Sequence, residues 1–405
     1  MESNSLTHEL ESILSETPAA AQRREQTAFD RAAAPDSTAI VIFGAGNLGR
    51  MIARGLHRAR IAPVAFADNN PDLWGSTVEG IPIFSPDSAA RSFGEKASFV
   101  IAVWNPSVRR DVEEIGAALS ALGCTRVQPF PALFWKYPAF LPYYLWDLPS
   151  KVLPHADDIR RAFRLFEEPQ SQAEFLAQLK FRSQADFNCL PPAAQSPQYF
   201  PPDIFLLRED EYFIDCGAFD GDTVRSFLEQ TRGRFNRIVA FEPDPSNFSE
   251  LLAGLDIPPT VRERISTVAA AVGARQETVR FEAMGTPASA VSEAGGIEVK
   301  CTTLDDALRN QSPTMLKLDI EGAELDALEG GVQTIARTTP IMAVCLYHRQ
   351  EHLWQIPLKL HQLCPTSRLY LRSYCVNGCD LVCYAVPETR LVAGLRSSCA
   401  GANIA

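Results

Sequence analysis

The chain has 405 residues, which is enough for two or three domains with cores of their own. Its formal net charge of -11 argues against nucleic acid and anionic membranes as main partners, because both select basic surfaces, so a small-molecule substrate is expected. The N-terminus lacks a signal-peptide pattern, and no apolar run approaches the ~20 residues of a transmembrane helix, which predicts a cytoplasmic protein without membrane insertion. The ten cysteines lack the dense spacing of a disulfide scaffold, so reduced thiols are expected.

Residues 1–36 predict a flexible N-terminal arm. They are polar and rich in alanine, and their apolar residues recur at the spacing of a short amphipathic helix that can dock a partner. These residues are Leu6, Leu10, Ile13 and Leu14.

Residues 37–134 predict a Rossmann-like nucleotide-binding domain. The pattern is an apolar strand, a GxGxxG turn that opens a helix, and a second strand that ends in an acid placed for a ribose hydroxyl. A further helix is predicted over residues 108–122. The predicted nucleotide contacts are Gly44, Gly46, Asn47, Gly49 and Asp68.

The run FADNNPDLWGSTVEGIPIFSPDS after the second strand resembles the nucleotide-sugar-binding domains that precede some sugar acyltransferases. The resemblance implies that Gly44, Gly46 and Asp68 bind a nucleotide or a nucleotide sugar. Two alternatives stay open, namely NAD(P) as the ligand and an ancillary domain that binds nothing.

Residues 135–198 predict a helical, proline-rich connector. An aromatic stretch leads into a helix over residues 156–181 that is broken near Pro169, and prolines mark a linker over residues 189–202.

Residues 199–388 predict a second doubly wound domain. A strand ends at Asp215, a turn with Gly217 and Gly221 precedes a helix, and the next strand ends at Glu242. Glycines let the backbone approach a ligand closely, and a glutamate can accept hydrogen bonds from both ribose hydroxyls. This arrangement indicates a nucleoside site.

Charge favours one kind of nucleoside. A dinucleotide site presents uncharged glycines to a pyrophosphate, which Asp215 would repel. The sulfonium and ammonium groups of S-adenosylmethionine would be attracted by this acid, and DxGxxxG is the pattern of class I methyltransferases.

The rest of the second domain alternates strands and helices and ends in a hairpin that turns at Asn377 and Gly378, followed by a tail over residues 389–405. One long helix is predicted over residues 323–335. The pattern predicts a largely parallel sheet with one antiparallel strand at its edge. The whole chain is therefore predicted to be an α/β protein with two doubly wound Rossmann-like domains, the second a seven-stranded class I methyltransferase fold with a C-terminal β-hairpin.

Five blocks in the second domain resemble, in this order, the FkbM-family methyltransferases: FIDCGAFDGDT, VAFEPDPSNFSELL, TTLDD, LKLDIEGAELDALEGG and VCLYHR. The resemblance implies an S-adenosylmethionine-dependent O-methyltransferase that acts on hydroxyls of sugars, sugar nucleotides or related small metabolites. Residues 268–271 are apolar, so no acid marks an adenine pocket. By position, the predicted cofactor contacts are Asp215, Gly217, Ala218, Gly221, Asp222, Thr223, Glu242, Pro243 and Asp319.

Methyl transfer to a hydroxyl needs a base near the carboxyl ends of the central strands. His348, Asp319 and Glu321 end such strands, and His348 is the predicted base because it titrates nearest neutral pH. Asp319 and Glu321 are also weak candidates for a divalent metal that acidifies a diol, or they pair with Lys317. The HxxEH motif of some zinc peptidases, from His348 to His352, needs both histidines on a helix, whereas His348 ends a strand, so no metal is assigned.

Two other classes of function stay open. One is a nicotinamide-dependent sugar-nucleotide oxidoreductase or epimerase that uses the first GxGxxG turn, although the sequence has no YxxxK pair of the kind that short-chain dehydrogenases use. The other is a non-catalytic protein that senses either ligand. A homo-oligomer is compatible with the sequence, which does not fix the oligomeric state.

Overall fold

The structure is a computed structural model, and its residues form two compact units. Unit 1 comprises Met1–Ala156, Leu176–Pro192 and Cys375–Cys379, and unit 2 comprises Asp157–Phe175, Ala193–Tyr374 and Asp380–Ala405. The residues that the structure describes are 2–32, 39–103, 111–141, 146–255, 257–286, 289–293 and 295–399.

Unit 1 contains a six-stranded sheet. Its strands are β1 (Ile40–Phe43), β2 (Ala65–Ala67), β3 (Thr77–Val78), β4 (Ile81–Phe84), β5 (Ser98–Ile101) and β6 (Val127–Pro129). They lie in the order β3-β4-β2-β1-β5-β6, and all neighbours are parallel except β3 and β4. Strands β1 and β5 are buried along their whole length, as is typical of a parallel sheet covered by helices. The predicted Rossmann-like topology is therefore present.

The helices of unit 1 differ from the prediction at the N-terminus. Residues 1–36 were expected to form a flexible arm with one helix, but two helices form there, and Leu10, Ile13 and Phe29 on them are buried. The side chain of Gln128 donates a hydrogen bond to Phe29 O at 3.3 Å. Residues 104–110, which include the start of the predicted helix 108–122, lie outside the described residues. The helices are α1 (Glu2–Leu14), α2 (Pro18–Ala32), α3 (Asn47–Arg58), α4 (Pro86–Phe93), α5 (Asp111–Ala121) and α6 (Pro131–Lys136).

The predicted helix with a break near Pro169 is confirmed as two helices, α7 (Ala156–Arg164) and α8 (Pro169–Gln184). Helix α8 begins at the proline itself, because a first-turn residue needs no amide hydrogen for the helix. The described residues contain no helix that is both long and apolar enough to cross a membrane. The cysteines from Cys124 to Cys383 are free thiols, as predicted.

Unit 2 holds a seven-stranded sheet and a smaller four-stranded one. The strands are β7 (Tyr212–Cys216), β8 (Arg237–Phe241), β9 (Ile265–Val268), β10 (Ala271–Val272), β11 (Glu277–Glu282), β12 (Ala290–Val291), β13 (Ile297–Thr302), β14 (Met315–Leu318), β15 (Ile341–Cys345), β16 (Ser367–Ser373) and β17 (Leu381–Pro387). The larger sheet has the order β16-β17-β15-β14-β7-β8-β9, and the smaller one has the order β10-β13-β11-β12.

The antiparallel strand of the larger sheet is not at its edge, contrary to the prediction. Strand β17 runs antiparallel to both β15 and β16, so it lies one position inside the edge and β16 forms the edge itself. Strand β17 is apolar along most of its length (LVCYAVP), whereas β16 carries two arginines and two serines (SRLYLRS), and this contrast agrees with β17 as the inner strand of the hairpin. The completed sheet is that of a class I methyltransferase.

The long helix predicted over residues 323–335 is split in two at Gly330 and Gly331. A side chain at Gly330 would place its Cβ 2.1 Å from Gly273 O, so the backbone of another segment passes too close for a larger residue. The helices of unit 2 beyond α8 are α9 (Asp222–Thr231), α10 (Pro245–Gly254), α11 (Pro259–Arg262), α12 (Leu304–Ala307), α13 (Glu324–Glu329), α14 (Val332–Thr338), α15 (His352–Leu363) and α16 (Ala393–Cys399).

Candidate active site

The glycine turn after β7 packs directly against the end of β14. Gly217 has a φ of 82°, and a Cβ on it would lie 1.9 Å from Asp319 O, so this position requires glycine for both conformation and space. Gly221, with a φ of 87°, caps the start of α9. The turn therefore brings bare backbone to the carboxyl end of the sheet.

Glu242, at the end of β8, holds this turn in place. Its Oε2 accepts a hydrogen bond from Phe219 N and its Oε1 accepts one from Asp244 N, both at 2.9 Å. Burial raises the pKa of Glu242, while these backbone hydrogen bonds oppose the shift. Because each carboxylate oxygen has a second lone pair, both can still accept a bond from a ligand hydroxyl.

Asp215 does not line the cavity, which corrects the predicted direct contact with a cationic ligand. Its carboxylate is fully buried and forms an ion pair with the Lys317 ammonium, with Oδ1 and Nζ 3.0 Å apart. Burial raises the pKa of Asp215 to about 6, against the opposing charge of Lys317. Lys317 Nζ also donates a hydrogen bond to Gly217 O at 2.7 Å. The pair therefore fixes the glycine turn from behind.

Asp319 is the acid that this arrangement presents to the cavity. Two tyrosine hydroxyls donate to its carboxylate, Tyr199 to Oδ2 at 2.7 Å and Tyr347 to Oδ1 at 3.1 Å. Burial acts to raise the pKa of Asp319, but the charges of Lys317 and His348 lower it below its usual value. Asp319 is therefore an anion at neutral pH.

His348 lies among three carboxylates, and its charge differs from the one predicted. Its Nδ1 is 2.7 Å from Glu324 Oε1, and its Nε2 is 3.4 Å from both Asp319 Oδ1 and Glu321 Oε1. Burial would lower the pKa of His348, but the carboxylates of Glu324 and Glu321 raise it well above its usual value. A raised pKa favours the protonated ring, which cannot accept another proton, so this geometry does not support His348 as the base.

A cavity of about 270 Å³ opens at the carboxyl ends of β7, β8 and β14. Four predicted residues do not line it, namely Asp215, Ala218, Gly221 and His348. The predicted residues that line it are Gly217, Asp222, Thr223, Glu242, Pro243, Asp319 and Glu321.

The sequence interpretation missed several residues that line the cavity. Tyr199 and Gln198 come from the stretch that the prolines predict to be a linker, and Asp380 follows the hairpin turn, which the sequence pattern predicts only as a connection.

The electrostatic surroundings of Asp380 are unusual for an acid beside a turn. Burial raises the pKa of Asp380 to about 6, and the charge of Asp319 adds to the shift. The signal that could have found Asp380 is its place in the sequence, with one residue between it and Gly378 of the turn. Polar residues on such loops often carry function. Lining residues from the segment after β9 are Ala270, Ala271 and Val272, and the small sheet adds Phe281.

Unit 1 brings its predicted nucleotide residues together in the same way. Gly44 has a φ of 106°, and Asp68 accepts backbone hydrogen bonds from Ala45 N at 2.7 Å and from Asn70 N at 2.8 Å. A Cβ on Gly49 would lie 1.9 Å from Gly44 O, so Gly49 serves helix-to-turn packing. The other two predicted residues lie at the helix start, with Gly46 as the cap of α3 and Asn47 as its first residue.

Unit 2 has the class I methyltransferase fold, with a cavity at the carboxyl ends of its strands. Residues 215–373 match the family model described as the Methyltransferase FkbM domain. Residues 39–114 match the PglD N-terminal domain. The two resemblances expected from sequence are thus confirmed.

A crystal structure of Methyltransferase FkbM from Methylobacillus flagellatus KT has the same fold. It is 20% identical to this chain, covers 95% of this chain and 99% of its own, and superposes with a TM-score of 0.77. UDP-D-quinovosamine 4-dehydrogenase from Vibrio fischeri matches 23% of this chain and 75% of its own at 24% identity, but its TM-score of 0.19 is too low to bear on the fold. No curated protein matches the chain.

Proposed function

We propose that this protein is an S-adenosylmethionine-dependent O-methyltransferase whose acceptor is a hydroxyl of a sugar, a sugar nucleotide or a related small metabolite. The observation that carries the proposal is the meeting of Gly217, Glu242 and Asp319 at one cavity inside the part of the chain that matches the Methyltransferase FkbM domain. We call the part of the cavity lined by Tyr199, Asp319, Glu321, Tyr347 and Asp380 its acceptor end. This end suits a neutral polyol, because carboxylates and phenols offer many hydrogen-bond partners.

The residues present fit S-adenosylmethionine. Bare backbone at Gly217 admits close approach, and Glu242 keeps lone pairs for the ribose hydroxyls. The anion that faces a cationic ligand is Asp319 rather than Asp215, whose charge Lys317 already balances. The apolar residues that line the cavity after β9 and on the small sheet offer a surface for adenine, which explains why no acid is needed there.

When bound, S-adenosylmethionine supplies a methyl group on a sulfonium, an electrophile for an acceptor oxygen. The protein must orient the acceptor hydroxyl, exclude water and take up its proton as the oxygen attacks. Asp380 is our candidate for the base, because it lines the cavity and a carboxylate with a pKa of about 6 is ionised at neutral pH yet basic enough to accept a proton. Asp319, held by two tyrosines, orients rather than deprotonates.

Isothermal titration of the full-length protein with S-adenosylmethionine tests the cofactor. We expect saturable heat with the wild type and a loss of at least about a hundred-fold in affinity for Gly217→Ala, because the added Cβ would collide with Asp319 O. Gly296→Ala is the matched control, since a Cβ there meets nothing within 4 Å. Heat with NADH and none with S-adenosylmethionine would instead favour an oxidoreductase.

The acceptor is identified by incubating candidate sugars and sugar nucleotides with isotopically labelled cofactor, followed by mass spectrometry. A gain of one labelled methyl group on a hydroxyl oxygen supports the proposal. Cofactor binding without transfer to any polyol, together with full biological effect of an Asp380→Asn variant, would favour a ligand sensor over an enzyme.

For unit 1, we propose that Gly44, Gly46, Asn47, Gly49 and Asp68 bind a nucleotide or the nucleotide part of a nucleotide sugar. The support is the positive φ of Gly44 beside a carboxylate that orders the turn, in a domain that matches the PglD N-terminal domain. Titration with UDP-glucose and, separately, with NADH distinguishes the two classes of ligand. An absence of heat with both would favour an ancillary domain.

A further inference from the structure

The ring of His348 has a defined orientation, with one nitrogen anchored and the other directed towards two acids. Its side chain is 5% exposed, and Nδ1 lies 2.7 Å from Glu324 Oε1. Nε2 lies 3.4 Å from Asp319 Oδ1 and 3.4 Å from Glu321 Oε1, yet among the described residues it makes no hydrogen bond of good geometry. A buried nitrogen without such a bond needs an explanation, and a cation held between it and the two carboxylates would supply one.

Glu324 anchors the histidine and is itself anchored by backbone. Its Oε1 accepts hydrogen bonds from Ile320 N at 3.0 Å and Gly322 N at 3.4 Å, and Oε2 lies 3.2 Å from His352 Nδ1. A carboxylate that accepts from Nδ1 leaves the lone pair of a neutral imidazole on Nε2, and outer carboxylates of this kind orient metal-binding histidines. Glu324 is fully buried and occupied in this way, so it supports the site rather than facing the cavity.

We infer that His348 Nε2, Asp319 and Glu321 bind a divalent first-row metal ion at the acceptor end of the cavity. Metal bonds of about 2.1 Å place neighbouring ligand atoms about 3 Å apart, close to the two separations of 3.4 Å. One nitrogen with two carboxylates suits Mn²⁺ and similar ions, and two negative charges balance the ion.

The two carboxylates also line the cavity, so the remaining coordination positions of the ion would face the acceptor. This part of the inference rests on the proposed function, and it narrows the acceptor to a molecule that presents two neighbouring oxygens, such as a vicinal diol. Binding of the ion itself does not depend on methyl transfer. The competing arrangement is an imidazolium whose proton occupies the same place between the two acids.

The site is tested by titrating the full-length protein with Mn²⁺ after treatment with a chelator and dialysis. Electron paramagnetic resonance measures the free Mn²⁺ at each step of the titration. We expect one saturable ion per chain, and a loss of at least about ten-fold in affinity for Glu321→Gln and for His348→Ala. The matched control is Asp326→Asn, an exposed acid on α13, which should bind like the wild type. Circular dichroism checks that each variant is folded, and Glu321→Gln, at a partly exposed side chain, keeps the test valid if His348→Ala does not fold.

No saturable Mn²⁺ binding, or binding that Glu321→Gln leaves unchanged, would overturn the inference in favour of the imidazolium. Titration of the same metal-free protein with S-adenosylmethionine separates this from the proposed function. Cofactor binding without Mn²⁺ binding refutes the metal site alone, whereas Mn²⁺ binding without cofactor binding refutes the methyltransferase alone.

Discussion

Unit 1 and unit 2 share one arrangement of strand, glycine turn and acid. In unit 1, Gly44 N donates to Ala67 O at 2.8 Å, and in unit 2 the matching bond runs from Gly217 N to Phe241 O at 3.0 Å. Both glycines have a positive φ. The backbone of the first strand is thus tied to the end of its neighbour in the same way in both sheets.

The acids after the second strands match as well. Asp68 accepts a hydrogen bond from Ala45 N at 2.7 Å, and Glu242 accepts one from Phe219 N at 2.9 Å. Each acid also accepts a second backbone hydrogen bond from the residue two positions further along the chain. An acid at this position therefore orders the turn before any ligand arrives.

The two units differ at the strand position that precedes the turn glycine by two residues. Unit 1 pairs Ile42 with Val100 in register, whereas unit 2 pairs Asp215 with Lys317 at the equivalent place. Aliphatic side chains at such a position need no compensation, but two buried charges lose hydration. Because Lys317 also donates a hydrogen bond to Gly217 O, the buried pair in unit 2 fixes the glycine turn, and unit 1 orders its turn without such a pair.

The largest expected effect comes from breaking this ion pair. Lys317→Met leaves the Asp215 carboxylate buried and uncompensated, so the free energy of unfolding should fall by about 3–5 kcal/mol in urea denaturation. Replacing the pair by the apolar residues of unit 1, Asp215→Ile with Lys317→Val, should restore stability to within about 1 kcal/mol while methyl transfer is lost. The control is Lys300→Met, at an exposed lysine, which should change the free energy of unfolding little. If Lys317→Met changed it as little as the control does, the ion pair would not be important for stability.

Of the two units, only unit 2 is expected to transfer a proton, from the acceptor hydroxyl to the carboxylate of Asp380. Asp380 must be ionised to accept a proton, so kcat/KM should rise with pH through about 6 and level off above it. Asp380→Asn should lower kcat roughly a hundred-fold and abolish that pH dependence. Glu298→Gln, at an exposed acid on β13, serves as the control. A variant that keeps the wild-type pH profile would remove Asp380 from this role.

Glu242 and Asp68, the acids that order the two glycine turns, can each be replaced by the corresponding amide. Glu242→Gln puts an amide hydrogen against one of two backbone amides, so affinity for S-adenosylmethionine should fall about ten-fold with little change in the affinity of unit 1 for UDP-glucose. Asp68→Asn should give the opposite result, measured by the same two titrations. If either variant weakened both ligands equally, the two turns would not be separate sites.

Much of this arrangement was accessible from sequence because it is local. Strand, turn and helix patterns fixed both glycine turns and the acids Asp68 and Glu242, since each depends on spacing within a few tens of residues. The role of Asp215 was not accessible, because its partner Lys317 lies about a hundred residues away and only the register of β7 with β14 joins them. Asp380 and Tyr199 reach the cavity from outside the motifs for the same reason.

The charge of His348 illustrates a further limit. The sequence pattern placed it at a strand end with Asp319 and Glu321, but the third acid, Glu324, was not among the predicted site residues. Glu324 is the first residue of the short helix α13, and its carboxylate is fully buried against His348 and His352. Residue type alone therefore did not show how strongly the surrounding carboxylates raise the pKa of His348.

The smallest expected effect separates what a glycine does for the fold from what it does for a ligand. A Cβ on Gly46 would meet nothing within 4 Å, and its φ of -76° is open to any residue, so Gly46→Ala should change the free energy of unfolding by less than about 0.5 kcal/mol. Gly49→Ala, with its Cβ 1.9 Å from Gly44 O, should destabilise unit 1 by about 1–3 kcal/mol. If Gly46→Ala is as stable as the wild type but loses UDP-glucose binding, the open space above Gly46 is where the phosphates lie. Unchanged binding of UDP-glucose would mean that the phosphates do not occupy the space above Gly46.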